Sequence, residues 1–240
     1  MSDSAVVLFS GGQDSTTCLA WAIEQFGKEG IYTVSFDYGQ KHGIELQCAH
    51  EIIREFDLPN QHKVLDAGFL QTLPTALTRS DIEPEAEASE ESQNKFAAAH
   101  NLPSTFVPGR NMFFLTMAAA YAATLGITDL VTGVCEADDA GYPDCRASFI
   151  LAAEDALAFA LDENDFEIHT PLIKIDKAKT WQMAEDLGVL EVVRKMTHTC
   201  YNGVHDELHY HDWGFGCGEC PSCKERAKGY YTFMGEEVPA

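Results

Sequence analysis

Basic residues are scarce in this chain. Sixteen Lys and Arg stand against 38 Asp and Glu in 240 residues, a formal net charge of −22, and only six of the cations are Arg. Phosphate backbones and anionic lipid surfaces are held by Lys and Arg, so neither nonspecific nucleic-acid binding nor membrane adhesion is expected. No apolar run reaches the roughly 18 to 20 residues that a spanning helix needs. Met1 to Ser4 lack the basic-then-apolar plan of a secretory leader, and the expected compartment is the cytoplasm. No solenoid period is present. What remains is a globular composition, 45% hydrophobic and 22% charged, long enough to bury a core without disulfides.

Cysteine is the exception to this plainness. Of the eight, Cys200, Cys217, Cys220 and Cys223 crowd the tail, and in a reducing compartment such clustering points to metal. Cys217-Gly218-Glu219-Cys220-Pro221-Ser222-Cys223 sets three thiols at two-residue gaps, and Cys200 makes a fourth. Four thiolates close a tetrahedral, structural Zn²⁺ site. On the residues alone two alternatives stay open. Successive CxxC steps also suit an iron-sulfur cluster, and His205, His209 or His211 is able to replace Cys200. Cys135 and Cys145, being isolated, read as small buried apolar residues sooner than as nucleophiles.

Upstream of the tail, strands alternate with helices. Ala5 to Phe9 is a short apolar run ending in Ser10-Gly11-Gly12; Leu19, Ala20, Ile23 and Phe26 recur at helical spacing; Ile31 to Phe36 restores a strand. Ile44 to Phe56 is a second helix, His62 to Leu65 a third strand, Met112 to Leu125 a helix and Asp129 to Gly133 a strand. Phe149 to Leu161, Phe166 to His169 and Lys177 to Leu187, capped by Asp176, continue the alternation. The expected fold is α/β, an open parallel sheet with helices on both faces, ligands at the carboxyl ends of the strands, and a small C-terminal zinc subdomain. Between residues 78 and 105 the pattern lapses among Glu83, Glu85, Glu87, Glu90 and Glu91. This acidic excursion reads as a mobile lid or as a plain solvated loop.

The strongest local signal is Ser10-Gly11-Gly12-Gln13-Asp14-Ser15-Thr16-Thr17 at the end of the first strand. Two glycines let the backbone approach a ligand, a helix start offers free N–H groups, and the hydroxyls add neutral donors. The competing reading is a tight strand-to-helix turn capped by Ser15. No Lys follows the glycines, so the loop is not a Walker A motif. After the second strand, Asp37 is suited to Mg²⁺ or a sugar hydroxyl, and Lys41 and His42 to phosphate. Arg110 and Asn111 stand at a helix start fit for an anion. Glu136, Tyr142, Asp144 and Arg146 form a polar and aromatic segment able to stack and hydrogen-bond a planar ligand.

The loop resembles the PP-loop of the ATP pyrophosphatases, and the chain as a whole resembles one branch of them, the QueC family of 7-cyano-7-deazaguanine synthases. Phe9 to Cys18, Phe36 to Gln40, Phe106 to Asn111, Thr132 to Glu136, Gly141 to Arg146 and Thr199 to Gly203 all look like family segments. The stretch from Val204 to Phe215, long and rich in His, and the acidic excursion depart from the pattern. The resemblance implies an adenine nucleotide alpha hydrolase-like PP-loop domain over 1–195, with the mobile excursion at 78–105, and a zinc-binding subdomain over 196–240.

It implies that 7-carboxy-7-deazaguanine, ammonia and ATP become 7-cyano-7-deazaguanine, a queuosine precursor, through adenylated carboxylate and amide intermediates. Ser10, Asp14, Ser15 and Arg110 would be catalytic. Phe9, Ser10, Gly11, Gly12, Gln13, Asp14, Ser15, Thr16, Thr17, Cys18, Leu19 and Asp37 would bind ATP, with Mg²⁺. Tyr38, Lys41, Arg110, Asn111, Glu136, Tyr142, Asp144 and Arg146 would meet the second substrate. Cys200, Cys217, Cys220 and Cys223 would hold zinc, which disfavours a histidine ligand. The expected partners are small molecules, with no nucleic acid, no membrane, and a homodimer at family level. A PP-loop tRNA thiolase or a non-enzymatic nucleotide-sensing zinc protein are the competing functions.

Overall fold

The apolar run near the start of the chain becomes the middle strand of a parallel sheet. The computed structural model describes residues 4–40, 43–79, 81–82, 88–89, 91–136 and 142–238. β1 (Ala5–Leu8) pairs with β2 (Ile31–Asp37) on one side and β4 (Asp129–Val131) on the other, Ala5 lying opposite both Ile31 and Asp129. β3 (His62–Asp66) flanks β2 and β5 (Glu167–His169) flanks β4, giving the order β3-β2-β1-β4-β5 with every pair parallel. The chain winds outward from β1 in both directions. The loops after β1 and β4 therefore diverge to opposite faces and leave a crevice at their carboxyl ends, the topological switch point.

Period-two alternation decides which helices cover which face. Ala5, Val7, Ile31 and Val131 pack under α1 (Gln13–Phe26) and α2 (Ile44–Glu55) through Leu19, Ala22, Ala49 and Ile52. Val6, Val34, Leu130 and Ile168 meet α4 (Arg110–Leu125) and α5 (Ala147–Leu161) through Leu115, Ala118, Ala122, Ile150 and Leu157. Each fully buried Leu, Ile or Val contributes about 1.5–3 kcal/mol, and the central strand β1 reads as a continuous apolar run because both its faces are used. Among the described residues no helix is long and apolar enough to cross a membrane.

Three helices lie outside the periodicity reading. α3 (Lys95–Ala99) sits inside the expected excursion. It is held by Asn94, whose side chain accepts from Ala97 N at 3.1 Å and donates to Phe106 O at 2.7 Å. Ala88, Ala97, Leu102 and Phe106 make a small core there, against Tyr142. Ser80, Glu83 to Glu87 and Glu90, the acidic part of that excursion, lie outside the described residues. α7 (Leu190–Met196) is too short to show a period, and α8 (Pro221–Met234) begins inside the cysteine cluster.

α6 (Lys177–Asp186) starts as expected, with the Asp176 carboxylate accepting from Lys179 N at 2.8 Å. It shares a third core with α7 and α8 through Trp181, Val193, Trp213, Cys223 and Tyr230. Gly229 makes the α6–α8 approach possible, since a Cβ there would fall 2.7 Å from Cβ and Cγ of Lys177. A two-residue hairpin, β6 (Tyr210–His211) and β7 (Gly214–Phe215), closes the tail.

Candidate active site

A cavity of about 330 Å³ occupies the switch point, lined by the loop after β1, the end of β2, the start of α4, the segment after β4, and residues of α6 and the cysteine-rich tail. The loop is shaped by its own hydroxyls. Ser10 N donates to Ser15 Oγ at 3.2 Å, the Ser10 and Ser15 hydroxyls lie 3.1 Å apart, and Gly12 N donates to Ser10 Oγ at 3.3 Å. Gly11 takes φ +80°, and a Cβ there would lie 2.7 Å from Ala49 N and 2.8 Å from Glu45 O. Only glycine lets the loop lie this close to α2. α1 then begins at Gly12 without a side-chain cap, since the Ser15 hydroxyl donates to Gly12 O at 3.2 Å instead.

Phe9, Ser10, Gly12, Gln13, Asp14 and Ser15 line the cavity. Thr16 and Thr17 do not reach it: their hydroxyls donate back to Gly12 O at 2.8 Å and Gln13 O at 3.0 Å, and both are fully buried, as are Cys18 and Leu19. Gln13 is 3% exposed, yet its Nε2 finds no hydrogen-bond partner in the structure. A buried donor left open in a cavity wall is costly unless a ligand accepts from it.

Cations reach the loop from far along the chain. Lys177 Nζ, at the first position of α6, lies 3.1 and 2.9 Å from the two Asp14 carboxylate oxygens. Arg226 of α8 is fully buried and lines the same cavity. Its partners are all neutral: Trp213 O at 2.9 Å, Val193 O at 2.9 Å, and the hydroxyls of Thr197 and Thr199, both at 2.8 Å, with its guanidinium over the Trp181 ring. Burial lowers its pKa to about 10, so it stays charged at neutral pH. Cys223 and Asp14 favour its ionised form, and a buried positive charge beside the loop is what a polyphosphate needs inside a protein of net charge −22. The backbone of His198 adds a strut, donating to Gly11 O at 3.1 Å.

At the other end, Arg110 is the first residue of α4 and faces Tyr38, Tyr142, Asp144 and Cys145. Burial works against its charge, but those neighbours raise its pKa overall. Asn111 and Asp144 are tied together, Asn111 N donating to Asp144 Oδ2 at 3.2 Å and Nδ2 to Asp144 O at 2.9 Å. Asn111 lines the cavity and Asp144 stands behind it. Tyr142 stacks on Phe106 and shares a 2.6 Å hydrogen bond with Thr105. Burial raises the pKa of Tyr38, with Glu45 adding to it, and raises Glu45 itself to about 7.

Besides Gly11, Thr16, Thr17, Cys18, Leu19 and Asp144, three further expected residues lie away from the cavity lining. Asp37 accepts from Gly39 N, Glu136 from Ala147 N at 3.4 Å, and Arg146 is exposed at the start of α5. Lys41, with His42 and Gly141, lies outside the described residues.

The sequence reading passes over Lys177, Glu45, Arg226 and His198. One signal was present for the first. A Lys at the first turn of a helix opposes the helix dipole and so needs another reason to stand there. An acid in a first turn, as Glu45 is, follows the dipole and draws no notice.

The ligand sulfurs of Cys200, Cys217, Cys220 and Cys223 all lie within 4.8 Å of one another. A tetrahedral ion with sulfur at about 2.3 Å separates its ligands by about 3.8 Å, close to the 3.9 Å between Cys217 and Cys223. This spacing encloses one ion and leaves no space for a multi-iron core. Backbone N–H groups of Glu219 and Cys220 point at Cys217 Sγ at 3.4 and 3.3 Å. Hydrogen bonds from Cys220 and Cys223 pull the Cys200 thiol down, while Cys220 is pushed up to about 11 by the same sharing. The group therefore fits a cation that ionises all four. The histidines are engaged elsewhere: His211 with Gly216 O, His209 with Asp206, and His205 with His198.

A family profile described as "Queuosine biosynthesis protein QueC" matches residues 4–234. A relative from Clostridium novyi (strain NT), "7-cyano-7-deazaguanine synthase", is 48% identical over 232 residues, covering 96% of this chain and 95% of that protein. A relative of the same name from Clostridium botulinum (strain 657 / Type Ba4) is 47% identical over 235 residues, 98% and 97% of the two chains. Among solved structures, an NH3-dependent NAD synthetase from Campylobacter jejuni aligns at TM-score 0.48 and 12% identity, over 80% of this chain and 67% of that one. An NMN synthetase from Francisella tularensis aligns at 0.46 and 12%, over 100% and 80%.

Proposed function

The chain belongs to the QueC family of queuosine biosynthesis proteins, and from this we propose that it converts 7-carboxy-7-deazaguanine and ammonia, with ATP, to 7-cyano-7-deazaguanine. It is an ATP-dependent enzyme of queuosine precursor biosynthesis. The observation that carries the mechanism is a glycine loop without its own lysine, facing cations delivered by Lys177 and Arg226. Such a loop is suited to release pyrophosphate rather than to transfer a γ-phosphoryl group.

A substrate carboxylate oxygen attacks the α-phosphorus and pyrophosphate leaves. Ammonia then adds to the acyl carbon, AMP departs, and an amide results. The amide oxygen attacks the α-phosphorus of a second ATP, a second pyrophosphate leaves, and loss of AMP together with both N–H protons leaves the nitrile. Ser10, Ser15, the loop amides and Gln13 Nε2 donate to phosphate oxygens, Lys177 and Arg226 balance the departing charge, and Arg110 and Tyr142 meet the deazapurine. Mg²⁺ accompanies the ATP phosphates as counter-ion. Of Asp14 and Asp37 only Asp14 lines the cavity, and it would share that ion with the ATP phosphates. Zinc in the four-cysteine cluster is structural, because its ligands leave no position for water. We read residues 1–195 as the nucleotide unit, 196–240 as the zinc unit, the cytoplasm as the compartment, and nucleic acid as no partner, on the charge of −22.

The test is incubation with Mg-ATP, ammonium and 7-carboxy-7-deazaguanine, followed by mass spectrometry of nucleotide and base. AMP with the nitrile is expected; ADP would discard the mechanism. A homodimer is part of the reading, because α5 exposes an apolar stripe in which Leu151 is 62% and Phe159 86% accessible. Sedimentation should give a dimer for the parent chain and a monomer for Phe159→Asp. A parent monomer at micromolar concentration removes this element.

A further inference from the structure

The cavity has two chemically distinct ends. The loop, Lys177 and Arg226 make one end polar and cationic; the other is aromatic. Phe114 stacks on Phe36 with centroids 4.2 Å apart and planes 5° from parallel, and the Tyr38 ring lies 5.6 Å from Phe114. Tyr142 and Tyr201 line the same end and both lie near Arg110. Flat ring walls suit a planar bicyclic ligand, which buries its faces against them and leaves only its edge to be read.

Three carboxylates line the cavity among the described residues: Asp14, Glu45 and Glu225. Asp14 is taken by Lys177 at the phosphate end. Glu225 belongs to α8, on the wall made by the cysteine-rich tail. Glu225 faces Tyr201, whereas Glu45, on the first turn of α2, is hydrogen-bonded to the Tyr38 phenol and faces Arg110. A carboxylate is an acceptor with two oxygens, and a single phenol leaves it acceptor capacity. The result is an acceptor pair beside a guanidinium donor.

That pattern is the complement of a guanine-type edge, in which a ring carbonyl, a ring N–H and an exocyclic amine follow one another. The geometry points to Glu45 as the specificity-determining residue of the base site, its carboxylate accepting from the ring N–H and the exocyclic 2-amino group while Arg110 donates to the adjacent carbonyl. This rests on the deazaguanine reading of the substrate. Burial with few donors leaves Glu45 near its midpoint at neutral pH, and a ligand bringing two N–H donors is what draws it into the ionised form. A purine of the adenine type presents its donors and acceptors in another order and leaves the carboxylate facing an acceptor.

Calorimetric binding and steady-state kinetics test this with 7-carboxy-7-deazaguanine and its analogue lacking the 2-amino group. The parent protein should bind the complete base roughly 10- to 100-fold more tightly than the analogue, and Glu45→Gln should lose most of that ratio. In the variant KM for the base rises by a similar factor while KM for ATP holds. Glu45→Asp, which keeps the charge but shortens the reach, should retain part of the preference. A parent protein that binds both compounds equally overturns the proposal without any variant. So does a Glu45→Gln protein with lowered kcat and an intact preference, the mark of a proton-transfer group. Because binding is read apart from turnover, a protein that prefers the complete base but forms no nitrile leaves Glu45 standing and removes the proposed reaction. A protein that forms nitrile without the preference does the reverse.

Discussion

Replacing Cys220 with Ser should empty the four-cysteine site and lower the melting temperature by about 8 to 16 °C. That shift corresponds to a loss of about 4 kcal/mol or more, the range reserved for removal of a metal or an equivalent constraint. The sulfurs are crowded within 4.8 Å, so three thiols and a hydroxyl offer a poorer cage. Without the ion the thiols cannot all ionise. Metal binding in such modules is itself folding free energy.

The loss will not stay local. Cys200, Cys220 and Cys223 belong to the same core as Trp181, Val193 and Trp213, and the segment they fix supplies His198, Thr199, Tyr201, Ser222 and Arg226 to the cavity wall. Adenylation should therefore fall with metal content, although no ligand of the ion touches a reacting atom. Metal analysis, calorimetry and AMP release on one preparation check all three effects; full metal content with unchanged melting would refute the account.

The parts of the site legible in the sequence are those whose chemistry is carried by neighbours. Ser10 to Ser15 could be read because glycine, hydroxyl and strand end lie within one short run, and the four cysteines because thiol spacing alone limits what they bind. The same local reading assigns too much to Thr16 and Thr17. A threonine in a sequence shows a hydroxyl but not its direction, and in α1 both turn back to helix carbonyls.

Residues joined over distance left little trace. Asp14 and Lys177 are 163 positions apart and meet because the first turns of α1 and α6 converge at the crevice. Arg226 looks like a surface cation of an amphipathic helix until Trp181, Thr197 and Thr199 close over it. α3 escaped notice for another reason: five residues held by one buried Asn show no period. The inner strands β1, β2 and β4, by contrast, follow from short apolar and β-branched runs, because strands covered on both faces need little alternation.

Lys177→Met should cut the rate of AMP formation by about 10²- to 10³-fold while leaving the fold intact, the effect of removing one charged donor aimed at developing transition-state charge. Methionine is chosen because the stem matters separately: Gly229 brings α8 against Cβ and Cγ of Lys177, and an unbranched chain of similar length keeps that packing. A melting temperature close to the parent's therefore separates lost chemistry from lost structure. The charge has two tasks. In the free enzyme it neutralises Asp14; with ATP bound it stands where the leaving pyrophosphate gathers charge. If the first task dominates, Asp14→Asn in the Lys177→Met background should recover most of the rate, since the variant's injury is then an unpaired carboxylate facing phosphate. If the second dominates, the double variant stays as slow as the single one. We expect the latter, because Arg226 is fixed by four neutral hydrogen-bond acceptors and leaves Lys177, among the described residues, as the cation of the phosphate end able to follow a moving charge. A single variant that keeps more than half of the parent rate removes Lys177 from the mechanism.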